Sequence, residues 1–343
     1  MWLDSLASDA VHARILHILT CIEIPLHTFG AYLIVVKTPK KMKMVKASML
    51  WLHFTGALVD IFMSFIGIPV IILPACSGYP LGVSLLLGIP TSVLLYIGIS
   101  CVGVIGVSVL TFLENRHHQL IRGSSEPRSW KQMLYILFNY LVSITFIAPA
   151  FFNIPSEEQG RAYTFEVSYY YDYHYYHVSV SVLESVFQKI PNIPNDIPFR
   201  PGFFALSTDN QVYSICIISL IFVVCPQIIL FVLLIFRYLT QTRSQSPATL
   251  RLQLLFFIAM CFQLSIPFLV IFLPAAYIVF AIQYDYYNQG ANNLCMAAIT
   301  FHGVCTTLVM IIVHKPYRQA TFSILHLKSV RPLKTENNSR PLW

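Results

Sequence analysis

Residues 61–113 read IFMSFIGIPVIILPACSGYPLGVSLLLGIPTSVLLYIGISCVGVIGVSVLTFL, 53 consecutive positions between Asp60 and Glu114 with no aspartate, glutamate, lysine or arginine. A helix needs about 20 apolar residues to cross the hydrocarbon core of a bilayer. This run is therefore long enough for two crossings and a turn. The turn is visible as Pro74-Ala-Cys-Ser-Gly-Tyr-Pro80, a cluster of helix-breaking residues.

The rest of the chain repeats the pattern. Further charge-free stretches lie between Lys131 and Glu157, Asp209 and Arg237, Arg251 and Asp285, and Asp285 and Lys315, and Ile15–Val36 is apolar apart from Glu23. These gaps predict an all-α membrane protein with seven transmembrane helices, near 15–36, 49–73, 84–112, 132–152, 212–236, 253–280 and 293–313. Helices are required because backbone amides in lipid must bond within their own segment. The runs are too long, and lack the alternation, for barrel strands. Over all 343 residues, 56% are hydrophobic and 11% charged, against roughly 25% charged in soluble domains. That excludes a soluble enzyme and a disordered chain.

The net charge of +7 is not spread evenly. Of the 22 basic residues, 18 fall in 37–48, 114–131, 237–251 and the tail after 313. With seven spans these segments share one side, and the positive-inside rule assigns that side to the cytoplasm. The expected organisation is an extracellular amino terminus (1–14), a seven-helix domain (15–313) with a large outer loop at 153–209, and a cytoplasmic tail (314–343). The positive charge then faces anionic lipid, not nucleic acid.

Little in the chain points to chemistry. His117-His118 and His174-Tyr-Tyr-His177 lie on opposite sides of the membrane and cannot form one metal centre. The eight cysteines show no zinc spacing, and only Cys76 and Cys295 are placed where an outer disulfide is open to them. No nucleophile–base pairing, metal site or cofactor motif is present, so no enzyme is expected. Asp60 lies within the second span, and a carboxylate there normally faces the bundle or water. It is read as a polar hub or as an acid bonded to a neighbour such as Asn139. Glu23 is a second such acid. Pro226 and Pro267 each remove a backbone bond from their span, either as hinges or as static shaping. At the basic ends of spans three and seven stand Glu114-Asn115-Arg116 and Pro316-Tyr317-Arg318.

Several of these stretches resemble one family. Ile24-Pro-Leu-His-Thr-Phe-Gly-Ala-Tyr32, Lys37-Thr-Pro-Lys-Lys-Met-Lys43, Leu52-His-Phe54 with Asp60, Pro74-Ala-Cys-Ser-Gly-Tyr-Pro-Leu-Gly82, Glu114-Asn-Arg116 and Pro316-Tyr-Arg318 are similar to the nematode serpentine chemoreceptors. The match is best to class H (Srh) of the Str superfamily, with class I (Sri) close. The resemblance implies a G-protein-coupled receptor in the sensory cilia of chemosensory neurons, with a heterotrimeric G protein and a small molecule as partners. It also implies that Glu114, Asn115 and Arg116 lie where many receptors keep an acid–Arg pair that holds the inactive state. Pro316, Tyr317 and Arg318 would close span seven on the same face. An Asp-Arg-Tyr triplet, an Asn-Pro-x-x-Tyr motif and a tryptophan before Pro267 are all missing, so no rhodopsin-type ligand or sodium site carries over. The competing reading is a multi-pass transporter or channel. An odd number of spans, no visible repeat and only two intramembrane acids weigh against it. The ligand residues are not legible.

Overall fold

The computed structural model describes residues 5–39, 43–122, 126–161, 197–206, 210–241 and 247–325. Seven helices among them are long and apolar enough to cross a membrane. They run α1 (Asp9–Lys37), α2 (Lys43–Ile61), α3 (Thr91–Arg122), α4 (Trp130–Thr145), α5 (Asn210–Gln241), α6 (Pro247–Gln283) and α7 (Gln289–Val313), followed by a short α8 (Lys315–Ile324). The chain is an integral membrane protein with the seven-helix architecture expected from the charge gaps.

The main departure lies within residues 61–113. The second crossing does not continue as helix to residue 73. A π-helical turn, Phe62–Gly67, ends it. Ile68 then takes a left-handed backbone (φ 43°) and donates its N–H to the Met63 carbonyl. Pro69 has no N–H to extend the ladder. The chain turns back there as a hairpin, β1 (Pro69–Ile72) and β2 (Ser77–Pro80), paired from Pro69 with Pro80 to Ile72 with Ser77. A third strand, β3 (Phe204–Ala205), adds to β2, with Gly78 opposite Phe204. Only glycine fits at 78, where a Cβ would strike the Val70 carbonyl. Of the outer loop expected at 153–209, residues 162–196 and 207–209, including its tyrosine run, His174 and His177, lie outside the described residues.

This sheet closes one end of the bundle. Tyr79 donates to both carboxylate oxygens of Asp9 (2.9 and 3.0 Å), and Arg200 reaches the same carboxylate at 2.7 Å. Gln289 donates to the Ile71 carbonyl, and Asn293 to that of Leu6. The amino terminus, the hairpin and α7 are thereby fastened together. α7 packs on α6, α1 and α2, and α3 on α2, α4 and α5. Leu33, Met49, Leu113, Ile235 and Tyr317 form a hydrophobic core at the opposite, α8 end. α5 and α6 present many apolar side chains outward, the surface expected of helices that face lipid.

Candidate functional site

The bundle carries polar groups at three depths. Midway, α1, α2 and α7 converge on Asp60, which has 0% exposure. Its Oδ2 lies 3.0 Å from His27 Nε2 of α1. Its Oδ1 lies 2.8 Å from His302 Nδ1 of α7, while that nitrogen is also 2.7 Å from the Ile299 carbonyl. The hydrogen-bond geometry at His302 favours the carbonyl, so Oδ1 has charge proximity there without a hydrogen bond. The opposite ring nitrogen of His27 lies 3.3 Å from Thr307 Oγ1, and His53 Nε2 lies 2.9 Å from the His27 carbonyl. Gly303 makes this approach possible: a Cβ there would overlap the Asp60 carboxylate. Nearer the sheet, Ser64 in the π turn donates to Glu23 Oε2 at 2.7 Å, and Glu23 Oε1 has no partner. The cluster is a buried carboxylate matched by imidazoles from two other helices, which is what a low-dielectric site requires of a charge.

The second group lies at the α8 end. Arg116 is not paired with Glu114. Residues two apart on a helix do not face each other, and Glu114 bonds instead to Arg128 across the α3–α4 turn at 2.8 Å. Asn115 donates to Ser48 of α2 at 2.9 Å. The Arg116 guanidinium sits 5.0 Å from the centre of the Phe256 ring of α6, and its Nε has no hydrogen-bond partner. Phe256 also borders the His314 ring. His314 Nε2 lies 2.9 Å from Gln263 Oε1 of α6. Burial pushes the His314 pKa down from the ordinary histidine range to about 4, so the ring is neutral and Nε2 donates. Pro316 stands in the first turn of α8, where a missing N–H costs nothing. Tyr317 is fully buried, with its hydroxyl 2.8 Å from Thr38 Oγ1 of α1 and its ring beside His314. Arg318 bonds the Ile312 carbonyl at 2.5 Å. The expected groups do meet at one end, but the acid–Arg pair among them is replaced by an arginine leaning on α6.

The third feature is a pair of cavities. One, of about 100 Å³, lies under the sheet between Val70, Tyr79, Leu94 and Phe204. The other, of about 500 Å³, runs between α3, α5 and α6. Met63, Ile99, Tyr213, Ile278 and Met296 border both.

The chain matches the family described as serpentine type 7TM GPCR chemoreceptor Srh over residues 7–170 and 173–327. The chain belongs to the Srh family of serpentine chemoreceptors. It is also 26% identical over 301 residues to serpentine receptor class H-72 of Caenorhabditis elegans, covering 87% of this chain and 80% of that one.

The Srh assignment decides for class H between the two classes the motifs resemble. The hub needs a correction. Asn139 is not near Asp60 as a partner. It accepts from Gln227 Nε2 of α5 at 3.0 Å and donates to the Tyr135 carbonyl. Gln227 follows Pro226, and its side chain also donates to the Val223 carbonyl at 2.7 Å. The carbonyl that Pro226 cannot serve is that of Phe222, four residues back, and Gln227 bonds the carbonyl next to it. Tyr135 completes the group by donating to Gln227 Oε1. Pro267 falls within α6, and its side chain lies outside the described residues. Cys76 and Cys295 are both free thiols, and burial raises Cys76 to about 12. The residues missed from sequence are His27, His302, Gln263 and His314. A signal existed for His27: His12, Leu16, Thr20, Glu23, His27 and Gly30 recur at helical spacing and all face inward in this Srh chain.

Proposed function

We propose that this chain is a G-protein-coupled chemosensory receptor of the plasma membrane, in the sensory cilium of a chemosensory neuron. In this reading the amino terminus and the sheet face outside, and α8 and the basic segments face the cytoplasm. A small molecule held in the sheet-side half of the bundle favours one arrangement of the helices. The arrangement it favours opens the α8 end to a heterotrimeric G protein. The ligand acts only through its differential affinity for the two states.

The observation that carries this reading is Arg116. A half-buried guanidinium with an enclosed, unbonded Nε and an aromatic ring of α6 over its face is held against the helix whose displacement would free it. Phe256, Gln263 and His314 tie the same segment of α6 to α7. Loosening α6 would release all of these contacts and present Arg116, Asn115 and Arg318 at the basic face. Pro226, which leaves the Phe222 carbonyl without its backbone donor, and Pro267 are the proposed hinges.

The test is a second-messenger assay in cells that express the receptor with a G protein, screened against a broad panel of small molecules. A panel compound evokes a response, and Arg116→Ala lowers it at least tenfold while surface expression stays the same. An undiminished response in the variant removes Arg116 from the mechanism. Currents through the receptor in a bilayer free of G protein would favour a channel.

A further inference from the structure

We infer that the adjoining cavities around Ser77 and Tyr213 are the ligand site, and that they take a neutral, largely apolar molecule carrying one polar oxygen. This rests on the receptor reading and names the chemistry of its ligand.

The two hydroxyls are the starting point. Ser77 on β2 is 6% exposed, borders the cavity under the sheet, and its Oγ has no hydrogen-bond partner. Tyr213 on α5 borders both cavities, retains part of its surface beside them, and has no hydrogen bond among the described residues. The other polar side chains there are occupied. Thr91 donates to the Gly202 carbonyl, Tyr79 to Asp9, and Ser265 to the Phe262 carbonyl. A buried hydroxyl without a partner costs roughly 1–3 kcal/mol; the Ser77 hydroxyl is one, and Tyr213 on the wall of the same small cavity offers a ligand's polar atom a second donor.

The remainder of the lining defines the rest of the molecule. Among the described residues, no aspartate, glutamate, lysine, arginine or histidine borders either cavity. An ionised ligand would find no counter-charge among these residues, and its burial would be costly. The smaller cavity, about 100 Å³, suits a compact polar head; an apolar protein cavity of about 150 Å³ is known to hold benzene. The larger, about 500 Å³, lies within the roughly 300–1,000 Å³ range of small-molecule pockets and accepts a hydrocarbon body. Its lining includes Leu233, Phe268 and Phe272, which are also 58%, 45% and 37% exposed on the flank of the bundle. The sheet covers the other end. A molecule dissolved in the bilayer therefore has an apolar path inward between α5 and α6, and a strongly hydrated one does not.

The experiment uses the full chain in lipid nanodiscs without any G protein. Straight-chain ketones and alcohols from butyl to decyl, the matching alkanes and the matching carboxylates are titrated, with saturation-transfer NMR against empty nanodiscs as the readout. Ketones or alcohols bind saturably, alkanes bind more weakly, and carboxylates do not bind. Tyr213→Phe and Ser77→Ala each weaken ketone or alcohol binding about three- to tenfold, the effect of one lost hydrogen bond, and leave alkane binding unchanged. Ile99→Trp fills the shared wall and abolishes binding of every probe, which keeps the test decisive if a hydroxyl variant fails to fold. Equal affinity of the hydroxyl variants and the wild type overturns the inference, since the two groups would then merely hold water. So does the absence of saturable binding across the ketone and alcohol series, or binding of the carboxylates. Binding that satisfies every expectation in a receptor that never activates a G protein would leave the site standing and defeat the receptor reading.

Discussion

A carboxylate with no exposed surface inside an apolar bundle must be matched by its neighbours. Asp60 has two imidazoles within 3.0 Å to do so. The match depends on Gly303, and it predicts a cost for the smallest possible change. Gly303→Ala places a methyl group on the carboxylate. Overpacking of this kind destabilises by about 1–3 kcal/mol, which thermal unfolding of the purified receptor will show as a lowered midpoint; an unchanged midpoint would mean that the helices simply part to make room. Asp60 was legible as a buried acid because nothing else in its span is charged. Its partners were not, because a histidine in an apolar run reads the same whether it faces lipid, core or acid. His314 adds a prediction in pH. Its folded pKa, about 4, lies below the ordinary 6.5. The unfolded chain therefore binds the extra proton more readily between those values. The contribution of His314 to stability is full above about pH 6.5 and is lost as the pH falls toward 4, an effect on the order of 3 kcal/mol. His314→Gln flattens the pH dependence of the unfolding midpoint in that window, and a slope equal to the wild type would place the titration elsewhere.

Among the elements, α5 carries its proline beside a polar contact to α4. Gln227 bonds the Val223 carbonyl and at the same time joins Asn139 and Tyr135 of α4. Interhelical hydrogen bonds in membranes average about 0.6 kcal/mol and reach about 1.7. A double-mutant cycle of Gln227→Leu with Asn139→Leu will therefore give a coupling near or below the upper figure, by unfolding in detergent. A coupling of zero would show that Gln227 serves only its own helix. Pro226→Ala restores the backbone bond, leaves the fold intact and reduces the maximal ligand response if the kink is a hinge. Response amplitudes equal to the wild type would make the kink static shaping. Helix number was readable from charge gaps, because burying a charge in lipid is costly. The hairpin at Pro69–Pro80 was not, since its residues are as apolar as a span. There the prolines and a left-handed Ile68 decide against helix, and hydropathy does not register them.

For the whole molecule, the proposed orientation rests on the positive-inside rule: Lys37, Arg116, Arg122 and Arg128 stand at the end that holds Thr38, Glu114 and Tyr317, the end proposed to be cytoplasmic. An epitope tag at the amino terminus will be stained on intact cells, and one at the carboxyl terminus only after permeabilisation. The reverse pattern would exchange the ligand face and the G-protein face. Family and fold were legible because short motifs and charge gaps survive in a single sequence. The cavities were not, because an internal void is a property of packing among four helices and a sheet. The acid–Arg pair failed for a similar reason: Glu114 and Arg116 are two residues apart in sequence and point apart on α3. Signalling, in this reading, turns on Arg116 being released when α6 moves. The most direct measurement is nucleotide exchange on a heterotrimeric G protein by the purified receptor in nanodiscs, with and without a ligand that binds the Tyr213 cavity. Exchange is predicted to rise with ligand in the wild type and to fall at least tenfold in Arg116→Ala, with ligand affinity unchanged. Ligand-dependent exchange that is undiminished in the variant, or absent from a ligand-saturated wild type, would contradict it.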